Sequence, residues 1–202
     1  MSRGRPRGPA FILFEGTCGV GKTSLARAVA AELAAEDVVT LLQDRTYGPV
    51  APLEDAGTLD DATNAALLHG ILHEIARHVA AHKVVLVDTL HLTQRVRPGV
   101  LGDSSFRAID MALSELRATI CFLEAPRETI FERAIVRRRG TGFLRYAQKF
   151  SRDEQGLADY FFEEQTRMKG LLHTLSRLPS VLLSAELSPE VLCDYVLTLI
   201  RA

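Results

Sequence analysis

Reduced to apolar and polar positions, the chain alternates between short apolar runs and longer stretches with helical spacing. The runs at Ala10–Phe14, Val38–Gln43, Val84–Asp88, Thr119–Glu124 and Val181–Ser184 have the length and composition of buried strands. Between them lie periodic segments. Lys22–Glu36 carries Leu25, Val29 and Leu33 on one stripe, and Asp60–His82 carries Leu67, Ile71, Ile75 and Val79. Ser104–Leu116, Arg127–Arg138, Asp153–Leu178 and Pro189–Arg201 also read as helices, the last with Ser188 as its N-cap. Residues 45–59 are rich in Pro, Gly and Asp and read as a loop, and 91–103 as a loop or broken helix. Such alternation predicts an α/β domain with a mostly parallel sheet and right-handed crossovers. No repeat or linker divides the chain, so a single domain is expected over 10–202, behind a short flexible basic leader at 1–9.

Composition narrows the function classes. The 202 residues are 47% hydrophobic and 24% charged, enough apolar material for a proper core. The net charge of -1 gives no basic excess of the kind that binds long nucleic acid. The longest apolar runs are too short to span a bilayer, and no signal peptide is expected at the basic start. Three scattered cysteines, Cys18, Cys121 and Cys193, form neither a metal spacing nor a disulfide framework, which suits a reduced, cytoplasmic protein.

The most specific stretch is Gly16-Thr17-Cys18-Gly19-Val20-Gly21-Lys22-Thr23, followed by Ser24. It fits G-x-x-x-x-G-K-[ST] and sits between a predicted strand and a predicted helix, as a phosphate-binding P-loop must. Its glycines let the backbone curl N–H groups inward around an anion, and the following helix adds the positive end of its dipole. Lys22 is positioned for the β and γ phosphates, and the Thr23 hydroxyl for Mg²⁺. The second signal is Val84–Asp88, four apolar residues ending in an acid at the carboxyl end of a strand. Ligands gather at such ends, so Asp88 is a second candidate Mg²⁺ ligand. The third is Arg133, Arg137, Arg138 and Arg139 before Gly140-Thr141-Gly142, a pattern suited to a phosphate-binding lid that excludes water. A solvated arginine face is the plainer alternative.

These features together resemble the thymidylate kinase and deoxynucleoside kinase group of P-loop kinases. The likeness begins at Phe14-Glu15-Gly16 and runs through the Asp88 strand and Leu123-Glu124-Ala125-Pro126-Arg127-Glu128. It continues through the arginine segment and the helix containing Tyr160, Phe161, Phe162 and Gln165. It implies a three-layer α/β/α P-loop kinase fold, with a five-stranded sheet and a short arginine-rich lid at about 134–150. It also implies ATP on Gly16–Ser24 with Mg²⁺ at Thr23 and Asp88, and lid arginines Arg137, Arg138 and Arg139 between donor and acceptor phosphates. By the same likeness, Asp44 is a general base for a hydroxyl acceptor, or Arg45 holds an acceptor phosphate. The sequence departs from the group in two places. Cys18 stands where an acid is usual, and Thr89-Leu90-His91 follows Asp88 where an arginine is usual. Both departures weigh against dTMP as acceptor.

His69 and His73 lie one helical turn apart without a third ligand spaced near them; as substrate contacts they depend on the resemblance. Phe143, Tyr146 and Phe150 are either packing or a stacking surface for an acceptor. The reading that absorbs most of these features is ATP-dependent phosphoryl transfer to a nucleoside, nucleoside monophosphate or nucleoside-like molecule. A kinase for another metabolite or an antibiotic, and a nucleotide-dependent regulatory ATPase, are the alternatives. The resemblance adds a possible homodimer, with the apolar 60–82 segment as its candidate interface.

Overall fold

The computed structural model describes residues 11–81, 83–97 and 99–202. The leader at 1–9, the strand start at Ala10 and the helix end at His82 lie outside the described residues. Within them, five strands form one all-parallel sheet in the order β2-β3-β1-β4-β5: Phe11–Glu15 (β1), Val38–Leu41 (β2), Val84–Asp88 (β3), Ala118–Glu124 (β4) and Ser180–Ser184 (β5). β1 and β3 are buried along their whole length, because helices cover both faces of the sheet. Alternation along β1 divides the core. Ile12 and Phe14 face one apolar cluster, while Phe11 and Leu13 face the other.

The first face is covered mainly by Lys22–Ala31 (α1), Pro189–Arg201 (α10) and the early part of Glu154–Thr174 (α9). The second is covered by Asp61–Ala80 (α4), Asp103–Glu115 (α6) and the later part of α9. Side-chain caps start three of these helices. Asp60 Oδ1 accepts from Thr63 N, Asp153 Oδ1 from Gly156 N and Ser188 Oγ from Val191 N, satisfying N–H groups that lack helical partners.

Several boundaries differ from the sequence pattern. β2 stops at Leu41, and Gln43 opens a short helix, Gln43–Thr46 (α2). The 45–59 region is not simply loop, since Ala51–Asp55 (α3) is also helical, with Pro52 in its first turn where proline is tolerated. His91–Val96 (α5) is the broken helix expected after β3. The segment Arg127–Arg138 is irregular: an α-turn at Arg127–Ile130 (α7), a π-helical stretch at Phe131–Ile135 and a 3₁₀ turn at Val136–Arg138. The short helix Gly142–Ala147 (α8) follows. Ile71 and Ile75 of α4 pack with Leu68 and Leu72 into the core of their own chain, so the apolar stripe proposed for a dimer is already covered.

Candidate active site

The sheet register builds the site. Phe14 pairs with Asp88 on one side and Cys121 on the other, so β1 delivers the chain into the P-loop beside the carboxyl end of β3. The P-loop glycines at 16, 19 and 21 all have positive φ. At Gly16 a Cβ would lie 2.3 Å from the Leu123 carbonyl oxygen, and at Gly19 2.9 Å from Ala134 of the π-helical stretch. Those two positions need glycine for the conformation and for the close approach. The Gly19 contact also explains why this loop carries no side chain there.

Lys22 Nζ donates to the Gly16 and Thr17 carbonyl oxygens, at 2.8 Å each, which holds the ammonium over the loop. The Thr23 hydroxyl donates to Asp88 Oδ2. One hydroxyl and one buried carboxylate side by side are hard oxygen donors. They suit Mg²⁺, which takes the rest of its shell from phosphates and water. A cleft of about 420 Å³ runs along Cys18–Leu25 and includes Gln43, Arg133, Arg137 and Arg138.

The expected lid arginines divide. Arg137 and Arg138 line this cleft, with Arg138 lying over the Phe143 ring. Arg133 lines it too and donates to the Ala185 carbonyl oxygen at 2.9 Å. Arg139 is not among the lining residues. It turns away and forms an exposed pair with Glu154. The cause is the irregular backbone, since a π stretch followed by a 3₁₀ turn rotates successive arginines differently from an α-helix.

Asp44 and Arg45 sit exposed on α2 next to the cleft-lining Gln43. Arg45 is turned onto Glu74 at 2.8 Å, and Asp44 has no side-chain hydrogen bond or ion pair among the described residues. His69 and His73 are exposed on α4, whereas His91 is buried, its Nε2 3.2 Å from Asp110 Oδ1. Phe150 packs against Tyr146, Tyr160 and Phe161, and Phe143 stacks on Phe161, so the three aromatics form a wall with α9.

Two buried acids brace the P-loop, and both escaped the sequence reading. Glu15 Oε1 accepts from Leu90 N and Leu92 N, and its Oε2 from the Thr93 hydroxyl, tying the end of β1 to the start of α5. Burial pushes its pKa above the ordinary glutamate value, against the opposing pull of His91, Thr93 and the Leu90 N–H. The folded state therefore binds more protons than the unfolded chain at pH above about 4.5, and stability falls as pH rises through that window. Gln can keep these partners without the charge. Glu15→Gln is expected to remove that fall, read as the difference in Tm between variant and wild type from pH 4 to 8. A constant difference across that range would contradict the assignment.

The second acid is Glu164 on α9, completely buried. It accepts a two-pronged contact from Arg97, at 2.8 and 3.0 Å, and the Thr17 hydroxyl at 2.5 Å. Arg97 Nη2 also lies 3.3 Å from Cys18 Sγ. Burial would raise the Glu164 pKa, but the Arg97 charge, its hydrogen bonds and Thr17 outweigh this and hold it below the ordinary value. Both variable residues at the front of the P-loop are thus gripped from α5 and α9. The signal lay in spacing. Leu157, Phe161, Glu164, Met168 and Leu172 form one buried stripe, and an acid on such a stripe demands a partner.

Thr89 has φ of 71°, which is costly for a β-branched residue, and its hydroxyl donates to Asp88 Oδ1 at 3.0 Å. Thr89→Gly relieves the backbone but frees Asp88. The expected result is stability within about 1 kcal/mol of wild type and an apparent Mg²⁺ requirement raised about tenfold. Denaturant melts and an Mg²⁺ titration of ATP binding check both parts; a large loss of stability with unchanged Mg²⁺ dependence would contradict it.

A family described as an AAA domain (AAA_33) matches residues 11–153. A search of curated proteins returns no match. Among solved structures, the fold is similar to that of a gluconokinase from Sinorhizobium meliloti 1021. The TM-score is 0.60 at 16% identity, over 96% of this chain and 93% of that one.

Proposed function

The chain belongs to the AAA domain family and has a P-loop kinase fold, and from that premise we propose that it is an ATP·Mg²⁺-dependent phosphotransferase acting on a hydroxyl-bearing small molecule. The observation that carries this reading is the convergence of Lys22, the Thr23–Asp88 pair and three arginines, Arg133, Arg137 and Arg138, on one cleft. A switch ATPase needs the first two features. The arginines add charge opposite the P-loop, where phosphates in transfer carry most of theirs.

In the proposed reaction the acceptor oxygen bonds to the γ phosphorus as the bond to the β–γ bridging oxygen breaks, leaving ADP. Thr23 and Asp88 would hold Mg²⁺, which would supply positive charge to offset that of the phosphates. Backbone N–H groups and Lys22 bind the phosphates, and the lid arginines meet the equatorial oxygens and exclude water. Asp44, one residue from the cleft, is the proposed acceptor of the hydroxyl proton. Arg45, held on Glu74, is less suited to an acceptor phosphate. The likeness to thymidylate and deoxynucleoside kinases supports a nucleoside acceptor, and the gluconokinase neighbour supports a hydroxylated metabolite.

The test is acceptor dependence of ATP consumption. Purified protein should consume ATP slowly alone and faster with pooled nucleosides, nucleotides or sugars. A rate that no pool changes, with ATP bound, would refute the proposal.

A further inference from the structure

We propose that the cavity between α6 and the end of α9 is a second binding site, one that takes a small organic anion. The cavity has a volume of about 510 Å³, enough for a metabolite-sized ligand. None of its lining residues lines the P-loop cleft. One wall is a stripe of α6. Arg107, Asp110, Met111 and Ser114 stand at helical spacing and share a face. The other wall is residues 174–177, where the chain leaves α9 on its way to β5. Asp110, only 2% exposed, joins the two walls. Its Oδ2 accepts from Arg177 N at 2.8 Å. Its Oδ1 accepts from the Ser176 hydroxyl at 2.6 Å and lies 3.2 Å from His91 Nε2. These contacts fix the backbone of Arg177 at the cavity that Arg107 lines from α6.

The charges of the walls favour an anion. Three charged side chains line the cavity, Arg107, Asp110 and Arg177. Glu115, Arg117 and His173 are close in sequence, but none of them lines it. Burial would raise the Asp110 pKa, but hydrogen bonds from His91, Ser176 and the Arg177 N–H outweigh this and hold it below the ordinary aspartate value. That carboxylate is therefore engaged with the wall, and a cationic ligand would find it filled and meet two guanidiniums. Arg107 and Arg177 are exposed, and among the described residues neither side chain donates a hydrogen bond or forms an ion pair. The residues outside that description include no Asp or Glu that could pair with them. Two guanidiniums with free N–H donors thus open onto one cavity, and their planar forks match carboxylate or phosphate oxygens. A bare inorganic ion would leave most of the volume empty. The body of an organic anion would meet Met111 and Leu175, with the Ser114 and Thr174 hydroxyls in reach of its polar groups. Met111 is 63% exposed, and its unbranched side chain adapts to bodies of different shape.

The methionines supply the test. Met111 lines the cavity, whereas Met168 is buried in the core. Protein labelled with ¹³C at its methionine methyls is titrated with nucleoside monophosphates, sugar phosphates, and di- and tricarboxylates, each to about 10 mM. The Met111 signal, assigned with Met111→Leu, is expected to move with at least one compound at a Kd of about 1 mM or tighter, while Met168 stays in place. Movement with the phosphates alone, or with the carboxylates alone, supports the site and names the oxyanion that it holds. The double variant Arg107→Gln/Arg177→Gln should weaken the response at least about tenfold, with an unchanged Met168 signal reporting an intact core. Lys22→Ala should keep the response, because Lys22 belongs to the other cleft. Wild type in which no compound moves Met111 would overturn the proposal, and that result needs no variant to fold. A response that survives the double variant and is lost in Lys22→Ala would also overturn it, since the anion would then sit at the P-loop. Neither result bears on phosphoryl transfer, so this site and the phosphotransferase reading stand or fall separately.

Discussion

Glu164→Ala is expected to destabilise the protein by about 3–5 kcal/mol, because it leaves the Arg97 guanidinium buried with its main partner gone. For a chain of this size that corresponds to a fall in Tm of about 6–20 °C. The loss has a second component, since Thr17 also loses its acceptor at the base of the P-loop. Replacing both partners with apolar residues, as in Glu164→Leu with Arg97→Met, removes the stranded charge. The double variant should therefore be clearly more stable than Glu164→Ala, although its P-loop is no longer braced. Thermal melts of the variants with and without ATP·Mg²⁺ separate these effects. If Glu164→Ala melts within about 2 °C of wild type, the brace is not a structural element of this fold.

Lys22→Ala is expected to reduce phosphoryl transfer by at least about 10²–10³-fold, as when a preorganised donor is removed from a developing charge. The fold should survive, because the lysine contributes two hydrogen bonds to carbonyls at the cleft, each worth about 1 kcal/mol net. The variant should also lose most of the rise in Tm that ATP·Mg²⁺ gives the wild type. Transfer rate and melting are measured on the same preparation. A variant that folds normally and keeps full activity would remove Lys22, and with it the P-loop, from the proposed mechanism.

How much of this was readable in the sequence depends on how local each feature is. The P-loop is eight consecutive residues whose chemistry is written in their order, and Asp88 closes an apolar run that can only be a buried strand. Both sit together in the structure because parallel pairing aligns the ends of β1 and β3. The cluster around Arg97 and Glu54 is different. Arg97 and Glu164 are 67 positions apart, and Glu54 meets Tyr146 across 92 positions. Nothing in local spacing joins such pairs, and only the acid on the apolar stripe of α9 hinted at one of them. The arginine segment was legible as basic and glycine-flanked, and Arg133, Arg137 and Arg138 of its four arginines do line the cleft, while the turning away of Arg139 was not legible. Assigning them assumes regular helical rotation, which the π and 3₁₀ turns break. The Pro, Gly and Asp content of 45–59 masked α3, whose first turn carries Pro52, and the start of α2 at Gln43 was absorbed into the end of the second strand. The stripe on α4 was visible as apolar, but a stripe alone does not say which surface covers it. Its own sheet does.

The most direct test of the account is the fate of the γ-phosphoryl label of ATP in the presence of Mg²⁺ and a mixture of nucleosides, nucleoside monophosphates and sugars. The account predicts label on an acceptor hydroxyl, little inorganic phosphate without acceptor, and neither product from Lys22→Ala. Label released only as inorganic phosphate, at the same rate with and without the mixture, would contradict it.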